Sequence, residues 1–327
     1  MNTQLLQVLA DGEWHSGQAL ADAAGVSRVA IWKQLQKLQE AGIALEAVKS
    51  VGHRIVGGLD LLTDNDVLGA VNDTAKSLIG ELQVLQQIDS TNRVCQEAMS
   101  DRAIPGKAIV VSAEQQTAGR GRRGKAWVSP YARNMYLSVG WQVQGGAAAL
   151  QGLSLAIGVA VVRALEDLGV ATAQLKWPND IVVERQKLGG ILIELTGDMA
   201  GPCSVVVGMG LNVNMPEYAQ DGIDQAWTDV YQQGVKPSRA ELIASVLNHV
   251  LPLLQHWEES GFEPWREAWQ ALDAYRDQPV NILMGDARIA GTERGVDRDG
   301  AIQIETTLGL QSFHGGEVSL RPQPSGR

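Results

Sequence analysis

The chain has 327 residues, 45% of them hydrophobic, and carries a formal net charge of -10 at pH 7. A chain of this length can bury substantial cores in two or three domains, and its acidity excludes a general polyanion binder, so any cationic site has to be local. No basic stretch followed by an apolar one opens the sequence, and no run of about eighteen apolar residues stands out, so neither a secretory signal nor a membrane span is expected. Cys95 and Cys203 are far apart and have no His or Cys neighbour at metal-ligand spacing, which reads as two buried thiols in a reducing cytoplasm.

The first sixty residues predict three short helices. Leu5, Leu6 and Leu9 share one face of the first; the second follows Ser16 as N-cap; the third, "RVAIWKQLQKLQEAG", follows Ser27 as N-cap. Only Gly25 and Val26 separate the last two, a helix-turn-helix spacing that gives the third helix the role of entering a major groove. The segment holds six acids and five bases, yet Arg28, Lys33, Lys37, Lys49 and Arg54 all fall in that helix or just after it. Ile31, Leu35 and Leu38 supply its apolar stripe and leave Arg28, Lys33 and Gln34 for solvent or DNA. Candidate DNA contacts are therefore Gly17, Ser27, Arg28, Lys33, Gln34 and Lys37. Residues 43–56 read as two strands around Ser50-Val51-Gly52, the wing of a winged helix-turn-helix. A small helical bundle with a solvated basic helix is the alternative. Residues 1–60 form the expected DNA-binding domain, and 57–67 the linker.

From residue 68 to about 270 helices alternate with apolar strands, an α/β or α+β sheet domain. "AIVVSAEQ" (108–115) and "NMYLSVGW" (134–141) read as strands flanking "QQTAGRGRRGKAW" (115–127), which packs four cations and three glycines into thirteen positions. Arg120, Arg122 and Arg123 offer planar forks suited to phosphate or carboxylate, although the spacing fits neither a Walker loop nor a dinucleotide fingerprint. A mobile surface loop fits these residues equally well. "DSTN" (89–92) places two hydroxyls and an amide where a strand gives way to a helix. "KWPND" (176–180) joins a lysine, an aromatic plane, an amide and a carboxylate, and "KLGGI" (187–191) places Lys187 on a tight hairpin turn. Residues 271–327 give short strands separated by "MGD", "DRDG" and "LG", a small SH3-like β-barrel.

Together these motifs, with "GMGLNVN" and "GGEVSLR", make the chain resemble, over essentially its whole length, the bifunctional biotin protein ligases that also act as biotin operon repressors. The resemblance implies an α+β multidomain protein with a central domain of the class II synthetase and biotin/lipoate ligase type. It also implies a two-step reaction, in which biotin and Mg-ATP give biotinyl-5'-adenylate, and a lysine of biotin carboxyl carrier protein then attacks it. Two repelling anions must be brought together, with Arg120, Arg122, Lys187 and Mg²⁺ as the neutralising set.

By resemblance, Ser90, Thr91, Asn92 and Gln116 line the biotin head-group site. Gly119, Arg120, Gly121 and Arg122 cover the carboxylate, Lys187 contacts it, and Gly190 and Gly208 let backbone approach. Trp127 is a stacking surface or a core tryptophan. Asn179 and Asp180 support nucleotide or metal, and Asn212 and Arg321 reach the nucleotide. A second loop, 214–227, sets Tyr218, Ile223 and Trp227 over the adenine. Lys125 stands where many members have Arg, and no protein ligand to Mg²⁺ is assigned. Adenylate binding is expected to favour a homodimer that reads operator DNA. A repressor that merely senses biotin and a lipoate ligase are the competing readings.

Overall fold

The computed structural model describes residues 2–197, 201–216, 219, 222–285, 287–316 and 318–323. Helices α1 (Thr3–Leu9), α2 (Gly17–Ala24) and α3 (Arg28–Glu40) open the chain. Ser16 and Ser27 cap α2 and α3 by accepting hydrogen bonds from the Ala19 and Ala30 amides, which fixes both helix starts. Gly25 ends α2 in the left-handed region (φ 63°), a turn conformation that glycine adopts without strain. Strands β1 (Leu45–Val48) and β2 (Gly52–Ile55) pair antiparallel in the register Leu45 with Ile55, forming the expected wing.

The linker is shorter than the sequence predicts. Thr63 caps a helix α4 (Asp64–Ala70), so the "DND" of the expected linker is the acidic first turn of a helix. Helix α5 (Asp73–Leu78) and strand β3 (Ile79–Leu85) follow, then α6 (Thr91–Arg102), β4 (Ala108–Ala113) and β5 (Met135–Val143). Helix α7 (Leu153–Asp167) leads to β6 (Gln174–Lys176), β7 (Asp180–Val183), β8 (Gln186–Gly197) and β9 (Cys203–Leu211). The described strands make one mixed sheet in the order β3-β4-β5-β9-β8-β7-β6, with β3 and β4 parallel and the other neighbours antiparallel.

Helix α8 (Arg239–Ser260), started by a capping box between Ser238 and Glu241, packs on α7, and α9 (Glu263–Leu272) packs on α7 as well. The segment 147–167 is long and apolar enough to cross a bilayer, yet α7 within it lies in the main core, in keeping with the reading of residues 150–169 as a long, largely buried helix. Strands β10 (Pro279–Met284), β11 (Ala287–Val296), β12 (Ile302–Thr306), β13 (Gly309–Phe313) and β14 (Val318–Pro322) form an antiparallel sheet ordered β13-β12-β11-β10-β14. Glu293 of β11 and Asp273 are buried together; burial raises both carboxyls above their ordinary range, and the neighbouring Asp273 raises Glu293 further, whereas the hydrogen bond between them partly offsets the rise at Asp273.

The N-terminal unit is fastened to the sheet domain rather than tethered. Tyr131 and Ala132, just beyond the cationic loop, are part of the apolar cluster of α1, α2 and α3. Glu114, at the end of β4 and fully buried, accepts from the Leu62 amide at 2.7 Å and from Arg239 Nη2 at 2.5 Å, while the Arg239 amide donates to Asp60. A buried carboxylate is tolerated there because it is paired and hydrogen-bonded on both oxygens.

Candidate active site

A cavity of about 460 Å³ opens over the β8/β9 face of the sheet. The α6 N-terminus, the loop 116–128, the "KWPND" corner, residues 222–227 and strand β14 wall it. Its lining carries seven cationic side chains (Arg120, Arg122, Arg123, Lys125, Lys176, Lys187 and Arg321) and two carboxylates, Asp180 and Asp224. In a chain of net charge -10 that local excess selects an anion.

One end is a buried polar relay. Gln116 Oε1 accepts from the Thr91 amide (2.8 Å) and hydroxyl (3.1 Å), and the Ser138 hydroxyl lies 2.8 Å from Thr91 Oγ1 and 2.6 Å from Asn92 Oδ1. Asn92 Nδ2 donates to Glu194 at 2.7 Å, and the same carboxylate oxygen takes Arg120 Nη2 at 3.2 Å. Ser90 caps α6 without using its side chain and lines the cavity beside them. Glycine is required at 208, because a Cβ there would stand 2.2 Å from Asn92 Oδ1. At Gly190 the nearest atoms to such a Cβ are 3.4 Å away on Lys187, so protein packing leaves room for one and only a ligand in the cavity would exclude it.

The other end is an ion triad. Lys187 Nζ lies 2.6 Å from Asp180 Oδ1 and Lys176 Nζ 3.2 Å from Asp180 Oδ2, all three largely buried. Burial alone would raise the Asp180 carboxyl; the two ammonium groups outweigh it and hold the group below its ordinary range. Burial lowers the Lys176 ammonium, partly offset by Asp180. The triad's formal charge is two positive and one negative, so one positive charge is left for a ligand. Lys187 is not on the hairpin turn, as its sequence suggests. The turn is Glu184–Arg185, both at positive φ, and Lys187 sits at a register shift in β8, hydrogen-bonded through its backbone to Ala226 and Thr228. The signal missed is that a β-bulge re-aims a side chain without leaving a mark in composition.

The cationic loop is a tight hairpin in which Arg120 bridges Ala126. Gly119 is not among the cavity-lining residues; a Cβ on it would meet Trp127 O at 2.6 Å, so it serves the return of the loop. Gly121 lines the cavity, its amide donating to Lys125 O at 2.7 Å. Arg122 donates to Asn179 at 3.2 Å and to the carbonyls of Gly315 and Gly316, and Arg123 reaches Ser319 at 3.1 Å, so the loop is buttoned to the C-terminal sheet.

Trp127 lies against Gly210 with Lys187 Nζ 5.6 Å from its ring centroid; its indole N–H is buried without a partner. Asn212 donates to Thr228 O at 3.1 Å and ties β9 to the strand-like segment bearing Trp227, which bridges Lys187. Ile223 and Arg321 line the cavity; Tyr218 lies outside the described residues. Glu194 and Ser138 escape the sequence reading because their partners are 46 or more residues away, whereas Lys176 is the lysine of "KWPND" and its pairing with Asp180 is local. Among the described residues no three metal-ligating side chains converge.

On the DNA-binding unit, Arg28, Lys33 and Lys37 are exposed and Arg28 lies over Gly17. Ser27 spends its hydroxyl on the cap of α3. Gln34 is half-buried with its Oε1 buried and unpartnered, and it lines a second cavity together with Asn2, Leu5 and Gln87. Arg54 is paired with Glu46 at 2.7 Å and stacked on Trp14.

A helix-turn-helix head locked to a sheet domain whose cation-rich cavity suits a nucleotide-sized anion defines a ligand-activating enzyme joined to a DNA-binding module. Residues 84–212 match the Biotin/lipoate A/B protein ligase family, 2–54 an HTH domain and 277–321 the Biotin protein ligase C terminal domain. The chain is 36% identical over 318 residues to the bifunctional ligase/repressor BirA of Escherichia coli (strain K12), covering 97% of this chain and 96% of that one. It is 28% identical to the Bacillus subtilis (strain 168) protein of the same name, over 95% of both. Biotin protein ligase from Aquifex aeolicus in complex with biotin and ATP superposes with a TM-score of 0.61 at 29% identity, over 75% of this chain and 100% of that one. The chain belongs to the biotin protein ligase family, in the branch of bifunctional ligase/repressors.

Proposed function

We propose that the chain activates biotin with ATP as biotinyl-5'-adenylate, transfers it to a lysine of a biotin carboxyl carrier protein, and represses transcription as an adenylate-loaded homodimer. The observation that carries the reading is the cavity itself, with a polar relay at one end and a net-positive triad at the other. The relay of Ser90, Thr91, Asn92 and Gln116 offers donors and acceptors to the biotin head group, and Gly208 and Gly190 give it room.

In the first step a carboxylate oxygen attacks the α-phosphorus and pyrophosphate leaves. Lys187, Arg120 and Arg122 offset the charge of the meeting anions. Lys176 keeps Asp180 charged and paired when Lys187 turns to the ligand. In the second step the carrier amine attacks the acyl carbon, loses a proton, and AMP departs. Trp127, Asn179, Asn212, Trp227 and Arg321 frame the nucleotide end, with Tyr218 assigned there by resemblance alone. Asp180 and Asp224 are the only carboxylates in the described lining, and both oxygens of Asp180 face lysines. That donor set suits Mg²⁺ that arrives on the phosphates, where it would neutralise the leaving pyrophosphate.

Incubation with biotin, Mg-ATP and a carrier domain tests the enzyme: labelled carrier with pyrophosphate release is expected, and no label leaves only a biotin sensor. Competition by lipoate that abolishes labelling would transfer the reading to a lipoate ligase. Sedimentation with and without biotinyl-adenylate tests the regulatory half. Linkage requires the adenylate to strengthen self-association by the factor by which self-association strengthens its binding, and an unchanged mass removes the dimeric repressor.

A further inference from the structure

Helix α3 presents to solvent a face that is part apolar. Val29 is 70% exposed and Trp32 58% exposed, and they stand at i and i+3 with Lys33 and Gln36 beside them, opposite the buried Ile31, Leu35 and Leu38. Exposing a tryptophan and a valine side by side on a short helix costs solubility, and no described side chain covers them. What surrounds them is cationic. On the same helix Arg28, Lys33 and Lys37 have no carboxylate partner among the described residues, whereas Arg54 on the wing does. An apolar pair ringed by unpaired cations is complementary to a surface that is anionic at its rim and apolar at points within.

We infer that Val29 and Trp32 read thymine C5-methyl groups in the major groove, and so set the operator preference of this chain. The inference rests on the repressor reading given above. The thymine methyl is the one apolar group that base-pair edges present in that groove, and the first turns of the recognition helix meet those edges. Phosphates on either side supply the charge that Arg28, Lys33 and Lys37 answer. Side chains three residues apart on a helix have Cβ atoms ~5–6 Å apart. Base pairs rise about 3.4 Å each, so the two methyls belong to base pairs one or two steps apart in each half-site.

The test uses the full chain loaded with biotin and Mg-ATP to select from duplexes with a random 40-base-pair core. Recovered half-sites are expected to carry thymines one or two base pairs apart. The recovered duplex is then remade with uracil at those positions, which deletes only the methyls. Wild type should bind the thymine duplex about fivefold or more tightly than the uracil duplex. Trp32→Ala and Val29→Ala should each shrink that ratio towards one, with thermal unfolding checking that the variants fold; the uracil comparison stands without them. Equal affinity of wild type for both duplexes, or an undiminished ratio in Trp32→Ala, overturns the inference. Loss of self-association by Trp32→Ala in the absence of DNA overturns it too, by assigning the face to a protein contact. If selection enriches nothing, the repressor reading falls and this inference with it, which separates the two failures.

Discussion

The cations of the cavity and those of α3 are held in opposite ways. Around the cavity Arg120, Arg122, Arg123, Lys125, Lys176 and Lys187 each have a protein partner, several of them contributed by another strand or by the C-terminal sheet. On α3 Arg28, Lys33 and Lys37 have none among the described residues. A small anion is caught by a few charges whose aim is fixed in advance, because little is then lost to reorganisation as charge develops. A duplex offers many phosphates, and flexible lysines adapt to them while released counterions supply the free energy. Substitutions should therefore act sharply in the first region and gently in the second.

The largest effect is expected at Lys187. Lys187→Met removes the triad's surplus charge and leaves Asp180 with Lys176 alone; adenylate formation, followed by pyrophosphate release, should fall about 100- to 1000-fold. A loss of tenfold or less would mean that Arg120 and Arg122 carry the step. Next comes Gly208→Ala, whose added carbon must displace Asn92 from the relay. Because small displacements at a positioned site are costly, KM for biotin should rise about tenfold to 100-fold, with a smaller change in KM for ATP. Equal rises in both would show that the strand moves as a whole.

Glu194→Gln probes how the two ends are joined. The amide oxygen still accepts from Asn92, but the charge that holds Arg120 is gone. The pair is partly exposed, so KM for biotin should rise about fivefold with kcat within about twofold. A fall in kcat alone would show that Glu194 serves to aim Arg120 at the charge of the first step rather than to join the relay to biotin capture.

How much of this was legible varied with sequence distance. The caps at Ser16 and Ser27, the Gly25 turn and the wing are local, and their residues announce them. "DSTN", "KWPND" and the Gly-Arg loop marked the cavity, whereas Gly208 was named by resemblance alone, and that a Cβ there would meet Asn92 is visible only in the fold. The position of Lys187 on a strand and the start of α4 at Asp64 were misread. The first depends on a bulge, the second on a cap whose competing reading was a linker. Glu114, Glu194 and Ser138 were not singled out at all, since a buried carboxylate or hydroxyl is meaningful only beside a partner far along the chain.

On α3 the expected effects are graded. Lys33→Gln and Lys37→Gln should each reduce the slope of log affinity against log salt by about 1, weakening binding to all duplexes alike. A change confined to one duplex sequence would make that lysine a reader of bases instead.

The smallest effect is expected at Lys125, which belongs by position to the cavity and by exposure to the surface. Its ammonium lies 3.1 Å from Asp224 Oδ2, joining the Gly-Arg hairpin to the loop at 222–227, and the hydrogen bond from Lys125 holds the Asp224 carboxyl below its ordinary range. Both side chains are mostly in water, where screening and side-chain entropy leave such a pair worth little. Lys125→Ala should change kcat and both KM values by less than about twofold. If KM for ATP rises tenfold or more, Lys125 leaves Asp224 for a phosphate during the reaction. It would then have to be counted with Lys187 among the aimed cations, although it is exposed like those of α3.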